Sequence, residues 1–568
     1  MMLATRIVLP ILLLAAIALM YRRLPGAVAR ARAVWDSVAE HRALSVLLVF
    51  GLAFGGRLAL LPWLPMPTPL FPDEFSHLLS AQTLGLGRIA NPTPAFWEHF
   101  ENIFILNVPT YQSNYPMGQA VSLLIGQSLF GHPWMGVLLM VSAMCAATCW
   151  MLQGWLPPRW ALLGGLAMVL HFGVFHEWIQ TYMGGGVAGT GGALALGALI
   201  RLRQRPRMAL GAVLAVGAGL ILHTRPYEFL IFTACVGSAL LWQGWQQWRT
   251  SQWMPWLRAM MATLVVGGFF AGAVLYQNHR ITGHATMLPY QLAREVQGVP
   301  QSMYWEPPVP PPPLRFARLQ FMYDWQLAIY RHGQTWDGFW EEMGKRIEVH
   351  HNYFVGYHSL PALLVALLCW RDLRVRFLAG LVGATLVWNS WYPFHYGHYF
   401  APLVGAYAAL ILIGLERIAG WTRGGFGWGE CLALVLAVSS VQTFPYTLIQ
   451  TLRNPPRRSD PRFQPDIRAE IERHLQAALG GKHLVFVRSQ RPLDAEDAWY
   501  TNGPDLEASP ILWAQEIDAE SDRKLLSHYA GRQIWTVQTE TRKLEPYRGS
   551  LPPEQMPWRV GSQQGSRP

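Results

Sequence analysis

Charge is scarce in this 568-residue chain. Asp, Glu, Lys and Arg make up 14% of it, against roughly 25% in an ordinary soluble domain. Cysteine is scarcer still: Cys145, Cys149, Cys235, Cys369 and Cys431 all fall inside apolar runs. None is placed to build a disulfide framework or a Cys-ligated zinc site in water, and Cys145 and Cys149 read as two small buried residues. The polar tail has neither a Gly-rich phosphate loop nor a nucleophile elbow. These absences exclude a secreted disulfide scaffold, a zinc-ribbon protein and a P-loop enzyme.

What is abundant is apolar. Hydrophobic residues are 52%, and several runs approach the roughly 20 residues needed to span a bilayer. They fall near 5–20, 43–64, 134–154, 160–176, 185–200, 208–223, 227–243, 259–276, 352–370, 377–391, 399–415 and 429–449. The expected fold class is therefore an all-α polytopic membrane protein with about twelve transmembrane helices. The run Ile7 to Met20 lacks a small-residue cleavage site and is followed by Arg22 and Arg23, so it counts as a span. Mean hydropathy is only +0.18, so a substantial part of the chain lies in water.

The net charge of +11 sits in short linkers, which points to topology and not to nucleic acid. Arg22, Arg23, Arg30, Arg32 and Arg42 fill one linker, and Arg201, Arg203, Arg205 and Arg207 another. A third holds Arg371, Arg374 and Arg376 against Asp372. Counting spans between them puts all three on one side, which the positive-inside rule makes cytoplasmic. Segments 65–133, 277–351 and the tail then share the opposite face. Arg453, Arg457 and Arg458 at the start of the tail run mildly against that placement.

The expected organisation is an N-terminal span with a basic loop (1–42), a membrane domain (43–450) with long outer loops 65–133 and 277–351, and a soluble unit (451–568). In that unit a helical run at Pro465–Leu479 precedes strand-like runs at Lys482–Arg488, Pro510–Ala514 and Arg532–Val537, with a helix near Asp522–Tyr529. That predicts a small C-terminal extracytoplasmic α/β domain, accessory in role, whose last 20 residues are disordered. In loop 277–351, Glu306–Leu314 reads as a polyproline II strut leading into an amphipathic lid.

Chemistry concentrates at one boundary. Phe71-Pro-Asp-Glu-Phe-Ser-His77 places two carboxylates, Asp73 and Glu74, just beyond a span. The aromatic loop after them leads to Tyr115–Gly131, whose Pro116 suits helix entry. Around Gly184-Gly185-Gly186 the glycines either pack helices closely or leave a gap where Trp178 and Tyr182 would stack on a sugar. Arg225, an outer arginine between close spans, either pairs with Glu228 or offers its planar fork to a phosphate. His395 and His398 have a metal-compatible spacing, but no third ligand is near in sequence, and sugar or phosphate contacts explain them as well.

Asp73-Glu74 in the first long outer loop, Tyr115-Pro116 through Phe130-Gly131, and His398-Tyr399 before a late span together resemble the GT-C superfamily of integral-membrane glycosyltransferases. The nearest types are protein mannosyltransferase and aminoarabinose transferase. The resemblance covers about 40–450, and the Arg225–Glu228 element and the tail match a bacterial subgroup that implies no particular substrate.

It implies an inner-membrane transferase using a polyprenyl-phosphate sugar and an envelope acceptor (lipid, glycan or protein) with inversion. Asp73 is the expected base and Glu74 its partner. Arg225, His395, His398, Tyr399, Trp178 and Tyr182 are the expected substrate contacts. No cofactor is required, and a divalent metal through Asp73 is possible but not indicated. The extra N-terminal span and the tail depart from the pattern and leave the acceptor open. A lipid-linked polysaccharide ligase or polymerase shares the donor chemistry. A transporter or flippase would instead place its ionisable groups near the bilayer midplane.

Overall fold

The computed structural model describes residues 2–250, 252–297, 303–456, 460–463, 467–489, 497–552 and 555–560. Arg457 and Arg458 lie outside them. Among the described residues six helices are long and apolar enough to cross a membrane: Arg42–Ala59, Trp134–Trp155, Gly185–Gln204, Trp253–Thr282, Gly397–Ala419 and Trp428–Arg453. Two sharply bent pairs, Val8–Arg23 with Pro25–Glu40 and Trp336–Leu368 with Leu373–Asn389, raise the count to eight. The expectation of about twelve spans is not met. Apolar runs near 160–176 and 208–223 form helices Pro158–Phe172 and Met208–Leu222, of only 15 residues each. The first stops at Gly173, where the chain leaves the helix for an irregular loop; hydropathy does not register such a break.

Helix Gly185–Gln204 is, with Gly397–Ala419, among the most deeply buried spans, and its glycines explain why. A Cβ on Gly192 would lie 2.0 Å from the Pro402 carbonyl oxygen, and one on Gly185 2.4 Å from the Trp178 ring. Backbone therefore approaches backbone, as small-residue helix interfaces allow. The glycine run is filled by protein.

The first long loop, 65–133, is folded. Helix Pro72–Gly85 starts with proline at its first turn, where no amide donor is needed. Asp73 and Glu74 follow at the positive end of the helix dipole. Strands β1 (Asn91–Pro92), β2 (Ile105–Leu106) and β3 (Thr110–Ser113) form an antiparallel sheet in the order β1-β3-β2. The expected Tyr-Pro helix begins a little later than its proline, as Gly118–Phe130, and ends on Gly131 at φ 75°, a left-handed cap natural for glycine. In the second loop, Tyr323 and Tyr330 donate to the Val309 and Glu306 carbonyls at 2.8 Å each. The proline-rich strand is thereby tied to helix Ala317–Gly333.

The tail holds strands β4 (His483–Arg488), β5 (Ile511–Ala514), β6 (Gln533–Gln538) and β7 (Lys543–Pro546) in the order β5-β4-β6-β7. β4 pairs parallel with β5 and β6, and β7 pairs antiparallel with β6. Alternation sends Val485, Val487 and Trp513 to one face, against Ile471 and Leu475. Leu484, Phe486, Leu512 and Ala514 go to the other, against Leu79, Phe100, Ile105 and Tyr111 of the first long loop. Each such side chain contributes about 1.5–3 kcal/mol by burial. The tail is thus built into the same core as helix Pro72–Gly85. The expected disordered end also differs: Met556 and Trp558 are buried against Phe316 and Ile517, while 553–554 and 561–568 lie outside the described residues.

Candidate active site

Residues four apart share a helix face, so helix Pro72–Gly85 points Asp73 and His77 the same way. Leu79 lies on the opposite side, in the core shared with the tail. Asp73 Oδ1 accepts a hydrogen bond of 2.5 Å from Tyr115 Oη. The Tyr115 ring is fixed in turn by His77 at 4.8 Å, Phe104 at 5.5 Å and Tyr290 at 5.4 Å between ring centres. Asp73, Tyr115, Arg225, Tyr290, Tyr392, His398 and Tyr399 lie deep in the protein yet are only half-buried. They line a recess that water reaches.

The electrostatics follow from depth. Burial raises the Asp73 pKa, and the Tyr115 hydrogen bond and the Arg225 charge pull part of it back. Burial likewise holds the Tyr115 hydroxyl well above its ordinary value, and the Asp73 charge adds to this. Tyr392 is pushed up to about 12, chiefly by burial. His77, 8% exposed, is pushed down to about 3 by burial and by the Arg225 charge. At neutral pH it is an uncharged imidazole. The recess therefore combines one carboxyl, several protonated phenols, a neutral histidine and a cation.

That cation is Arg225, just before helix Pro226–Gln247. Its guanidinium lies over the Tyr399 ring at 4.5 Å. Among the described residues it has no ion-pair or hydrogen-bond partner, and Nε is buried and unpaired. The pairing with Glu228 weighed above is not made within ion-pair distance. A buried guanidinium without a bound anion is costly, so the arrangement suits an anionic ligand.

The other expected residues sit elsewhere. Glu74, 1% exposed, is occupied by backbone: Oε2 accepts from Leu70 and Phe71 at 2.7 and 2.9 Å, and Oε1 from Tyr182 at 2.8 Å. Burial raises its pKa, and these three amides and Arg462 oppose the rise. Trp178 is 2% exposed and stacks on Phe172 at 4.9 Å, so its faces are covered by protein. Tyr182 is buried and donates to the Pro67 carbonyl at 2.8 Å. His398 and Tyr399 join the recess, their rings 4.8 Å apart. His395 lies instead 3.4 Å from Glu342.

Tyr290 and Tyr392 were not singled out as site residues from sequence, and Tyr115 and His77 only as parts of longer motifs. The spacing of His77 from Asp73 was a usable signal. Nothing in sequence ties Tyr290 to residue 73.

The two large polar loops meet at this recess, Tyr115 against Tyr290, and the tail packs behind helix Pro72–Gly85. Three solved structures, of two proteins, are similar to this chain over most of its length. ArnT from Cupriavidus metallidurans in the apo state is similar over 90% of this chain and 93% of its own, at 14% identity and a TM-score of 0.47. The same protein bound to undecaprenyl phosphate gives 13% and 0.46, over 88% and 92%. The oligosaccharyltransferase AglB from Archaeoglobus fulgidus, in complex with an inhibitory peptide and a dolichol-phosphate, is similar over 89% of this chain and 69% of its own, at 10% identity and a TM-score of 0.43. No protein-family model and no curated protein sequence matches the chain.

For metals, the donor group among the described residues is His332, Glu341 and Glu342. Lys345 lies 2.8 Å from each of the two carboxylates, so both already have a cation.

Proposed function

We propose that the protein is a glycosyltransferase of the bacterial inner membrane. It moves a sugar from a polyprenyl-phosphate donor to an envelope acceptor on the extracytoplasmic face. One observation carries the reading: a carboxyl positioned by a phenol, Asp73 with Tyr115, shares a water-accessible recess with the unpaired guanidinium of Arg225.

In the proposed step an acceptor hydroxyl or amine attacks the anomeric carbon. Asp73 takes the acceptor proton, and the bond between the sugar and the phosphate oxygen breaks. The phosphate leaves as an anion, so it needs positive charge and not a proton, and Arg225 supplies that charge. A single displacement inverts the anomeric centre. Neutral His77, with His398 and the tyrosine hydroxyls, suits the sugar's own hydroxyls. Glu74 acts through backbone, holding residues 70–71 and 182 around the first turn of the catalytic helix.

General-base help is typically worth ~100- to 10,000-fold, so Asp73→Asn is the test. Membranes bearing the intact chain or the variant are given a panel of radiolabelled polyprenyl-phosphate sugars. The expected result is transfer from one donor, lost in Asp73→Asn at equal expression and equal Tm. Transfer at the unaltered rate in the variant would remove Asp73 from the base role.

A further inference from the structure

One ring beside the recess is open. Tyr115, Tyr290, Tyr392 and Tyr399 are half-buried, whereas Tyr396 is 45% exposed. It is nonetheless tied to the same group. Its ring lies parallel to that of His398, with centres 5.8 Å apart, and nearly perpendicular to that of Tyr399, at 5.5 Å. Tyr399 in turn lies under the Arg225 guanidinium, so Tyr396 is one ring removed from the proposed phosphate contact. Burial and, after it, the Asp73 charge raise the Tyr396 hydroxyl above its ordinary value. The ring is thus near both the carboxyl and the guanidinium, and still reachable.

The backbone holds it there. Tyr396 precedes the short helix Gly397–Leu403 in an extended conformation, and its carbonyl accepts from the Tyr399 amide at 3.0 Å. Gly397 sits against the Tyr353 ring, where a Cβ would lie 2.3 Å from a ring carbon, so the chain has no room to shift inward. A fixed, partly open ring at the edge of a polar recess suits a sugar. A pyranose packs its C–H face on an aromatic ring and turns its hydroxyls to polar groups, which His77, His398 and Tyr399 supply. Exposed tyrosines at the end of a span are ordinarily interface anchors; contact with the recess sets Tyr396 apart. The stacking role that sequence offered to Trp178 and Tyr182, both covered by protein, is open to Tyr396.

We propose that Tyr396 is a specificity-determining contact that stacks on the sugar of the donor while the donor phosphate lies on Arg225. The proposal deepens the transferase reading and rests on it for the identity of the ligand.

The test is a binding measurement without turnover, so its outcome is separable from that of the transfer assay. Purified full-length protein in detergent is titrated with undecaprenyl phosphate, bare or carrying glucose, mannose or xylose. The intact chain is compared with Tyr396→Phe, Tyr396→Leu and Tyr396→Ala. Stacking on a C–H face tolerates different sugars, so at least one glycolipid binds the intact chain about three- to tenfold tighter than the bare lipid. Tyr396→Phe keeps that preference. Tyr396→Leu, which retains apolar bulk without a flat face, loses it, as does Tyr396→Ala, and affinity for the bare lipid is unchanged in both. The leucine variant carries the comparison should the alanine variant misfold.

A sugar preference that survives in Tyr396→Leu would overturn the proposal. Glycolipids that bind the intact chain no tighter than the bare lipid would do the same, leaving the donor reading in place. Bare-lipid affinity that falls in step with glycolipid affinity in Tyr396→Leu would make the residue a lipid anchor. Binding of none of these lipids by the intact chain would remove the donor reading and this contact with it.

Discussion

Replacing Tyr115 with phenylalanine removes a single oxygen, the one that donates to Asp73 Oδ1 at 2.5 Å. The ring stays among His77, Phe104 and Tyr290, so the change is electrostatic more than steric. A hydrogen bond to a charged group contributes about 1.5–3 kcal/mol, and one pKa unit corresponds to about 1.4 kcal/mol. Losing this bond destabilises the carboxylate, so the Asp73 pKa, already raised by burial, rises by a further one to two units or so. A base must be ionised to work. Activity is therefore lost as pH falls through the Asp73 pKa, and in Tyr115→Phe the acid limb moves to higher pH by about that amount. The assay is the initial rate of labelled-sugar transfer between about pH 5 and 9 at saturating donor, where the limb reports the bound complex. An acid limb that stays in place, with the rate lowered equally at all pH values, would refute the reasoning and make Tyr115 a packing residue.

Three further outcomes are expected. Glu74→Ala strands three buried backbone amides at about 1–3 kcal/mol each, so it lowers Tm by several degrees, whereas Asp73→Asn leaves Tm unchanged or higher; equal effects of the two would contradict the division of labour. Arg225→Gln raises the donor KM at least about tenfold and Arg225→Lys recovers only part of it, because the stacked planar fork is lost; full recovery by lysine would show that point charge alone suffices. Phe486→Ala in the tail sheet costs about 3–5 kcal/mol and lowers transfer, since the ring packs in one core with Leu79 of the catalytic helix; a chain destabilised at Phe486 with an unchanged rate would show the tail to be merely attached.

Much of the frame was legible from pattern. Pro116 marked the entry to helix Gly118–Phe130, and the three parallel strands of the tail were visible as short apolar runs. The Asp73-Glu74 pair was legible as a pair but not in its division. Adjacent helical residues point about 100° apart, so one carboxyl enters the recess and the other turns into the backbone. Trp178 and Tyr182 show why aromatic composition misleads: a buried indole and a sugar-stacking indole look alike in sequence, and only Phe172 lying on Trp178 decides. The tyrosines of the recess come from distant segments, and Tyr290 carries no local mark of its position beside Tyr115.

The joint core of tail and catalytic helix also bears on when the site exists. Leu79 is synthesised long before Leu484, Phe486 and Leu512 leave the ribosome, yet they bury one another. Until then the back of the helix that carries Asp73 has no partner, and such long-range contacts form late. A nascent or prematurely ended chain would therefore carry the carboxyl and the arginine without the geometry that joins them. The back of that helix is complete only once the tail strands have been made.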